Sequence, residues 1–194
     1  VYQVWLEDGA ALIAKFYRPG RWPDAAIAEE HAFALELAGR EIPVVAPLAA
    51  GGETLHSHGG YRFALYPRRP GRSPELDDAD TLRWLGRFVG RIHAVGALRR
   101  FAQRPAIDID SFGRAPSRFV LENGFIPADL RETYRSVVDD VIARVERACR
   151  SAGRAQHIRL HGDCHAGNIL WTAEARISWT WMTRAWGPRC RTSG

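Results

Sequence analysis

Residues 159–171 read Arg-Leu-His-Gly-Asp-Cys-His-Ala-Gly-Asn-Ile-Leu-Trp. Short apolar runs at 158–160 and 169–171 flank the polar and small residues 161–168, so the simplest local structure is a loop between two strands. Inside it Asp163 and Asn168 stand five positions apart on a tight segment anchored at both ends. A carboxylate can take the proton of a hydroxyl. An amide oxygen is a hard ligand for magnesium, which needs only one or two protein oxygens when phosphates supply others. The pair therefore points to phosphoryl transfer from a magnesium nucleotide, with Asp163 as base and Asn168 as metal ligand. The plainer alternative is a pair of Asx residues making only local bonds to the backbone. His161, Cys164 and His165 are zinc-type ligands whose spacing fits no common zinc pattern, and His161 is expected to hold the loop through a backbone hydrogen bond.

Upstream, residues 1–6 and 11–17 alternate around an Asp8-Gly9 turn and predict a β-hairpin with Lys15 on its second strand. Pro23-Asp24 opens a helix running to about Ala38, with Gly39 as its terminator and Ile27, Phe33, Ala34 and Leu37 as its buried stripe. Glu30 falls on that stripe and Glu29 is rotated away from it. An inward carboxylate needs a partner, and Lys15 is the expected one, the two together holding nucleotide phosphates. Further strands are expected at 43–50 and 61–66. The segment Pro67-Arg68-Arg69-Pro70-Gly71 can continue neither regular structure and reads as a hinge. Beyond it the pattern turns helical, with Leu82, Leu85, Val89, Ile92 and Val95 in one stripe and Leu130, Val137, Val141, Ile142 and Val145 in another.

Composition narrows the class. The 194 residues are 46% hydrophobic and 25% charged, an ordinary globular balance, and the sequence holds neither a spanning apolar run nor a leader pattern. Three scattered cysteines suit a reducing compartment, and a cytoplasmic location is expected. The formal charge of +5 does not mark a nucleic-acid binder, because four arginines and one glutamate after Thr172 carry most of it. Lys15 is the only lysine among 27 basic residues.

The order strand Lys, helix Glu, Pro-rich hinge and H-G-D-x-x-x-x-N resembles the aminoglycoside phosphotransferase and protein-kinase-like superfamily. Within it, KFYRPGRW at 15–22, EEHAFALEL at 29–37, PVVAPLA at 43–49 and RLHGDCHAGNILW at 159–171 are similar to the bacterial stress response kinase A (YihE-like) family. The resemblance implies an α+β, two-lobed protein-kinase-like fold, with a small antiparallel-sheet N-lobe carrying one helix and a mainly helical C-lobe. The N-lobe would occupy 1–66, the hinge 67–71 and the C-lobe 72–172. It implies an ATP- and Mg2+-dependent serine/threonine protein kinase with Asp163 catalytic, Asn168 on the metal, and Lys15, Glu30 and Tyr66 at the nucleotide. A small-molecule phosphotransferase and a non-catalytic remnant stay open beside it. The expected partner is a protein with a Ser or Thr acceptor, with no nucleic acid, no membrane and a monomeric state.

Val1 opens directly in a strand pattern with no methionine, so the chain is expected to begin inside a domain, and residues 173–194 do not resemble the family. Trp and Met each have one codon, which fixes three shifted codons: Trp179-Thr180, Trp181-Met182 and Met182-Thr183 all give aspartate. With permitted codons elsewhere, residues 177–194 recode as FVDLDDARMGPAVQDLW, similar to a metal-binding strand of the family. A frameshift near Ile177 is the expectation, and with it an impaired or inactive copy.

Overall fold

The computed structural model describes residues 1–153, 156–172, 177–179 and 186–188. Four antiparallel strands, β1 (Tyr2–Trp5), β2 (Ala11–Tyr17), β3 (His56–His58) and β4 (Tyr61–Pro67), form a sheet in the order β1-β2-β4-β3. The expected hairpin forms around Gly9, whose φ of 81° suits glycine, with Asp8 accepting the Ala10 amide at 2.9 Å. Register sets Lys15 opposite Ala64. Residues 43–50 make no regular strand. Pro43 and Pro47 lack the amide hydrogens a ladder needs, and Leu48 donates to the Leu65 carbonyl at 2.8 Å.

Helix α1 (Asp24–Gly39) lies against this sheet and buries Ile27, Phe33, Ala34 and Leu37 completely. Its end differs from expectation. Gly39 stays inside the last turn, and Glu41 takes the left-handed conformation with φ 56°. The amide of buried Ile42 reaches back to the Leu37 carbonyl at 3.0 Å, so the apolar anchor beyond the helix, rather than the glycine, decides where the chain turns.

The second lobe is mainly helical: α2 (Ala79–Gly96), a π-type turn at Asp110–Arg114, α3 (Ala115–Glu122) and α4 (Arg131–Ala152). Asp78 caps α2, accepting the Thr81 amide and hydroxyl at 2.8 and 2.7 Å. That cap turns Thr81 inward, and Leu82, expected in the stripe, is 50% exposed. Leu85, Ile92 and Val95 join Phe33, Leu37, Ile42, Phe101 and Ile169 in one cluster, so the core is shared between α1 and the helical lobe. Each large side chain buried there contributes about 1.5–3 kcal/mol. The apolar stripe of α4 forms as a helix face but is not buried, with Val137 57% and Val141 52% exposed.

Strands β5 (His157–Arg159) and β6 (Ile169–Trp171) frame the central loop as expected, yet they do not pair with each other. β6 pairs with β7 (Ile177–Trp179) and β5 with β8 (Trp186–Pro188), both antiparallel. Gly96 explains how α2 meets β5: a Cβ there would lie 2.2 Å from the Arg159 carbonyl oxygen. Just after the Pro-rich segment, Arg72 and Trp171 exchange backbone hydrogen bonds of 2.9 and 2.7 Å, joining its far end to β6. The rest of the tail, at 173–176, 180–185 and 189–194, on which most of the frameshift reading falls, lies outside the described residues.

Candidate active site

Strand β2 and helix α1 bring Lys15 and Glu30 together, as their positions in the two patterns predict. Lys15 Nζ is 3.0 Å from Glu30 Oε1, with side chains 13% and 3% exposed. The ammonium also stands 4.9 Å from the Tyr17 ring centroid. Glu30 Oε2 is taken by Arg104 Nη2, a buried guanidinium stacked 4.3 Å over the Trp22 ring. Burial pulls Arg104 below its ordinary range, with Glu30 opposing the shift. Glu29, turned away from the stripe as expected, accepts the amides of Ala102, Gln103 and Arg104 at 2.6, 2.9 and 3.2 Å. Two turns further along, Glu36 accepts from Arg159 at 2.8 Å and Arg99 at 2.6 Å. Burial raises the Glu36 carboxyl, but those two hydrogen bonds outweigh it and hold the group below its usual range.

In the loop, Asn168 Nδ2 donates to the Asp163 carbonyl at 2.8 Å and to Asp163 Oδ2 at 3.0 Å. This turns the amide hydrogens toward Asp163 and leaves Oδ1 for another ligand. Asn168 is 3% exposed, fixed by a 3-10 turn at Ala166–Asn168, whereas the Asp163 side chain is 38% exposed, open to an incoming molecule. The two histidines shape the loop: the Asp163 amide donates to His161 Nδ1 at 3.4 Å, and the Gly167 amide to His165 Nδ1 at 3.1 Å. Burial, aided by the Asp163 charge, pushes the Cys164 thiol up, which disfavours a thiolate nucleophile.

A crevice of about 350 Å³ connects the two lobes. Ile13, Lys15, Val45, Tyr66 and Pro67 line it from the sheet side, and Gly167, Asn168 and Leu170 from the loop side. Tyr66 therefore stands on the same wall as Lys15. Asp163 is not itself a wall residue; it reaches the crevice through its contact with Asn168. The apolar walls suit a flat heterocycle, and the charged end suits its phosphates.

Two residues that sequence reasoning missed complete the site. His31, 1% exposed, lies 2.7 Å from Tyr17 Oη and 3.5 Å from Tyr66 Oη through Nε2, while Nδ1 meets Thr54 Oγ1 at 2.8 Å. It ties the crevice wall to α1. Its place one residue after Glu30 was the available signal. Arg104, within an irregular FAQRPA stretch, gave none.

A core shared between helix α1 and the helical lobe, a cross-element Lys-Glu pair and an Asp-Asn loop at one crevice define a kinase-like phosphotransferase architecture, and the chain belongs to the phosphotransferase enzyme family, whose model matches residues 1–178. It is 42% identical over 171 residues to stress response kinase A of Escherichia coli K12, covering 88% of this chain and 52% of that protein. The same figures hold for the serine/threonine protein kinase RdoA of Salmonella typhimurium LT2. The chain thus spans about half the length of the curated relatives it matches. Among solved structures, the amicoumacin kinase hAmiN, in complex with AMP-PNP, Ca2+ and Ami, superposes with TM-score 0.71 at 16% identity, over 95% of this chain and 56% of that one. A microcompartment-associated aminopropanol kinase gives 0.66 at 16% identity, covering 92% and 60%. At such identities these two establish the fold alone. No helix among the described residues is long and apolar enough to cross a membrane.

Proposed function

We propose that this chain is the nucleotide-binding and catalytic-loop portion of an ATP- and magnesium-dependent kinase that phosphorylates a Ser or Thr hydroxyl of a protein. The observation that carries the reading is convergence: Lys15, held by Glu30, and Asn168, held against Asp163, face one crevice although 153 positions separate them. The lobes divide at 67–71, and the nucleotide lies between them with its base near Tyr66 and its phosphates toward Lys15. The acceptor hydroxyl oxygen attacks the γ-phosphorus, the bond to the β,γ-bridging oxygen breaks, ADP departs, and Asp163 takes the hydroxyl proton. Lys15 neutralises phosphate charge, and Asn168 fixes the Asp163 carboxylate through its amide hydrogens. The donor set fits magnesium in part: Asn168 Oδ1 and the Asp163 carboxylate are hard oxygens in one site, and the ion would supply further neutralisation of the phosphates.

The register Ile169↔Trp179 sets the end of β7 beside the Asn168 end of β6. The first recoded aspartate straddles codons 179 and 180, at that same place, which supports reading the tail as a shifted metal strand. In its given form the chain is then an impaired copy. A second reading, phosphorylation of a small hydroxyl metabolite, draws support from the fold neighbours, which include an amicoumacin kinase and an aminopropanol kinase. Labelled ATP offered with a generic protein acceptor and, separately, with a panel of amino alcohols and sugars decides between them. With either acceptor Asp163→Ala should remove transfer without changing the melting temperature. Transfer that survives in that variant counts against Asp163 as the base.

A further inference from the structure

Glu30 serves two cations at once, one on each carboxylate oxygen: Lys15 at 3.0 Å on Oε1, and Arg104 on Oε2. We infer that Arg104 is a positioning residue for nucleotide phosphates, occupying Glu30 Oε2 so that Oε1 stays turned to β2 and the Lys15 ammonium stays at the crevice wall. The inference rests on reading Lys15 as a phosphate ligand.

Three features support it. Arg104 cannot readily move: it stacks on Trp22, its own loop is clipped to α1 through the Glu29 carboxylate, and Phe101 packs edge-on against Phe33 at 5.5 Å. It also buries Nε and Nη1 with no hydrogen-bond partner, a cost that an arginine serving only to fill space would avoid. Lastly, a carboxylate with one oxygen unclaimed can rotate and take a lysine on both oxygens, drawing the ammonium toward α1 and away from the crevice. Arg104 closes that route. Its side chain is 1% exposed, so it acts on the phosphates through Glu30 and Lys15 rather than by contact.

Calorimetry of the full chain with magnesium-ATP and, in parallel, with adenosine tests this. Lys15→Met should weaken ATP about tenfold, which is about 1.4 kcal/mol, and leave adenosine unchanged. Arg104→Met should show the same selectivity with a loss of about fivefold or more, Arg104→Lys should recover most of it, and the double variant should bind ATP no more weakly than Lys15→Met alone. Because Lys15 is the sole lysine, labelled lysine reports one side-chain ammonium, whose resonance should shift in Arg104→Met. If Arg104→Met does not melt cooperatively, Arg104→Gln, whose uncharged amide ends two bonds short of the position from which Nη2 meets Glu30 Oε2, takes its place in every comparison. Equal loss of ATP and adenosine, no loss of either, or additivity in the double variant overturns the positioning role. Absence of ATP binding by the unsubstituted chain, or a Lys15→Met variant that does not distinguish ATP from adenosine, defeats the phosphate-site reading instead.

Discussion

Replacing Glu36 with glutamine should destabilise the chain in a way that depends on pH. Glu36 joins α1 to the helical lobe through Arg159, which is 3% exposed, and Arg99, which is 62% exposed. The exposed partner is worth at most about 1 kcal/mol. The buried one matters more. Without the carboxylate, Arg159 keeps the Val95 carbonyl at 3.0 Å and the Phe33 ring at 4.2 Å, but its charge loses its anion. Breaking a fully buried pair costs about 3–5 kcal/mol, and the residual exposure of Glu36 reduces this to roughly 2–4 kcal/mol in total. For a chain of this size that lowers Tm by about 5–15 °C at pH 7. The sign with pH follows from the depressed carboxyl. Its stabilisation is fully present above the unfolded value, near 4.5, and is lost as pH falls through the lower folded value. Circular-dichroism melts of the parent and Glu36→Gln from pH 7 down to pH 3 should show a gap that narrows below about pH 4.5. A gap that stays constant across that range, or a Tm difference under about 2 °C at pH 7, would refute the reasoning.

Gly96→Ala should lower stability by about 1–3 kcal/mol or more, because its Cβ meets backbone rather than a yielding side chain. Gly86→Ala on the same helix, where a Cβ meets nothing within 4 Å, should raise stability by about 0.5–1 kcal/mol, and urea melts of both variants check the pair. Replacing residues 177–194 with the recoded FVDLDDARMGPAVQDLW should strengthen magnesium-dependent ATP binding at least about tenfold in calorimetry. Unchanged affinity would show that the shifted frame supplies no metal ligand.

The parts of the site legible in the sequence were those whose chemistry is local. Asp163 and Asn168 lie on one short loop, so their meeting at 3.0 Å needs no knowledge of the rest of the chain. The Lys15–Glu30 pair was legible because the helical stripe left one carboxylate facing inward, such a charge needs a partner, and Lys15 stood on the second strand of the hairpin. Arg104 reaches Glu30 across 74 positions from a stretch with no period, and nothing local distinguishes it from the other arginines. Strand partnership failed for the same reason. The runs at 158–160 and 169–171 read as strands, which the structure sets at 157–159 and 169–171, but their partners come from beyond Trp171, where local pattern marked no strand. The α4 stripe shows the converse limit: periodicity specifies a helix and its apolar face, while burial depends on what lies opposite, and Val137 and Val141 remain half exposed.

The paired backbone bonds between Arg72 and Trp171 constrain how the crevice can breathe. They rivet the start of the helical lobe to the strand leaving the loop that holds Asp163 and Asn168, so torque arriving through the chain at that point is borne by the loop's own support. Immediately upstream, Gly71 at φ 150° sits so close to Leu170 that a Cβ would come within 2.8 Å, so the chain entering the helical lobe is pressed against that same strand.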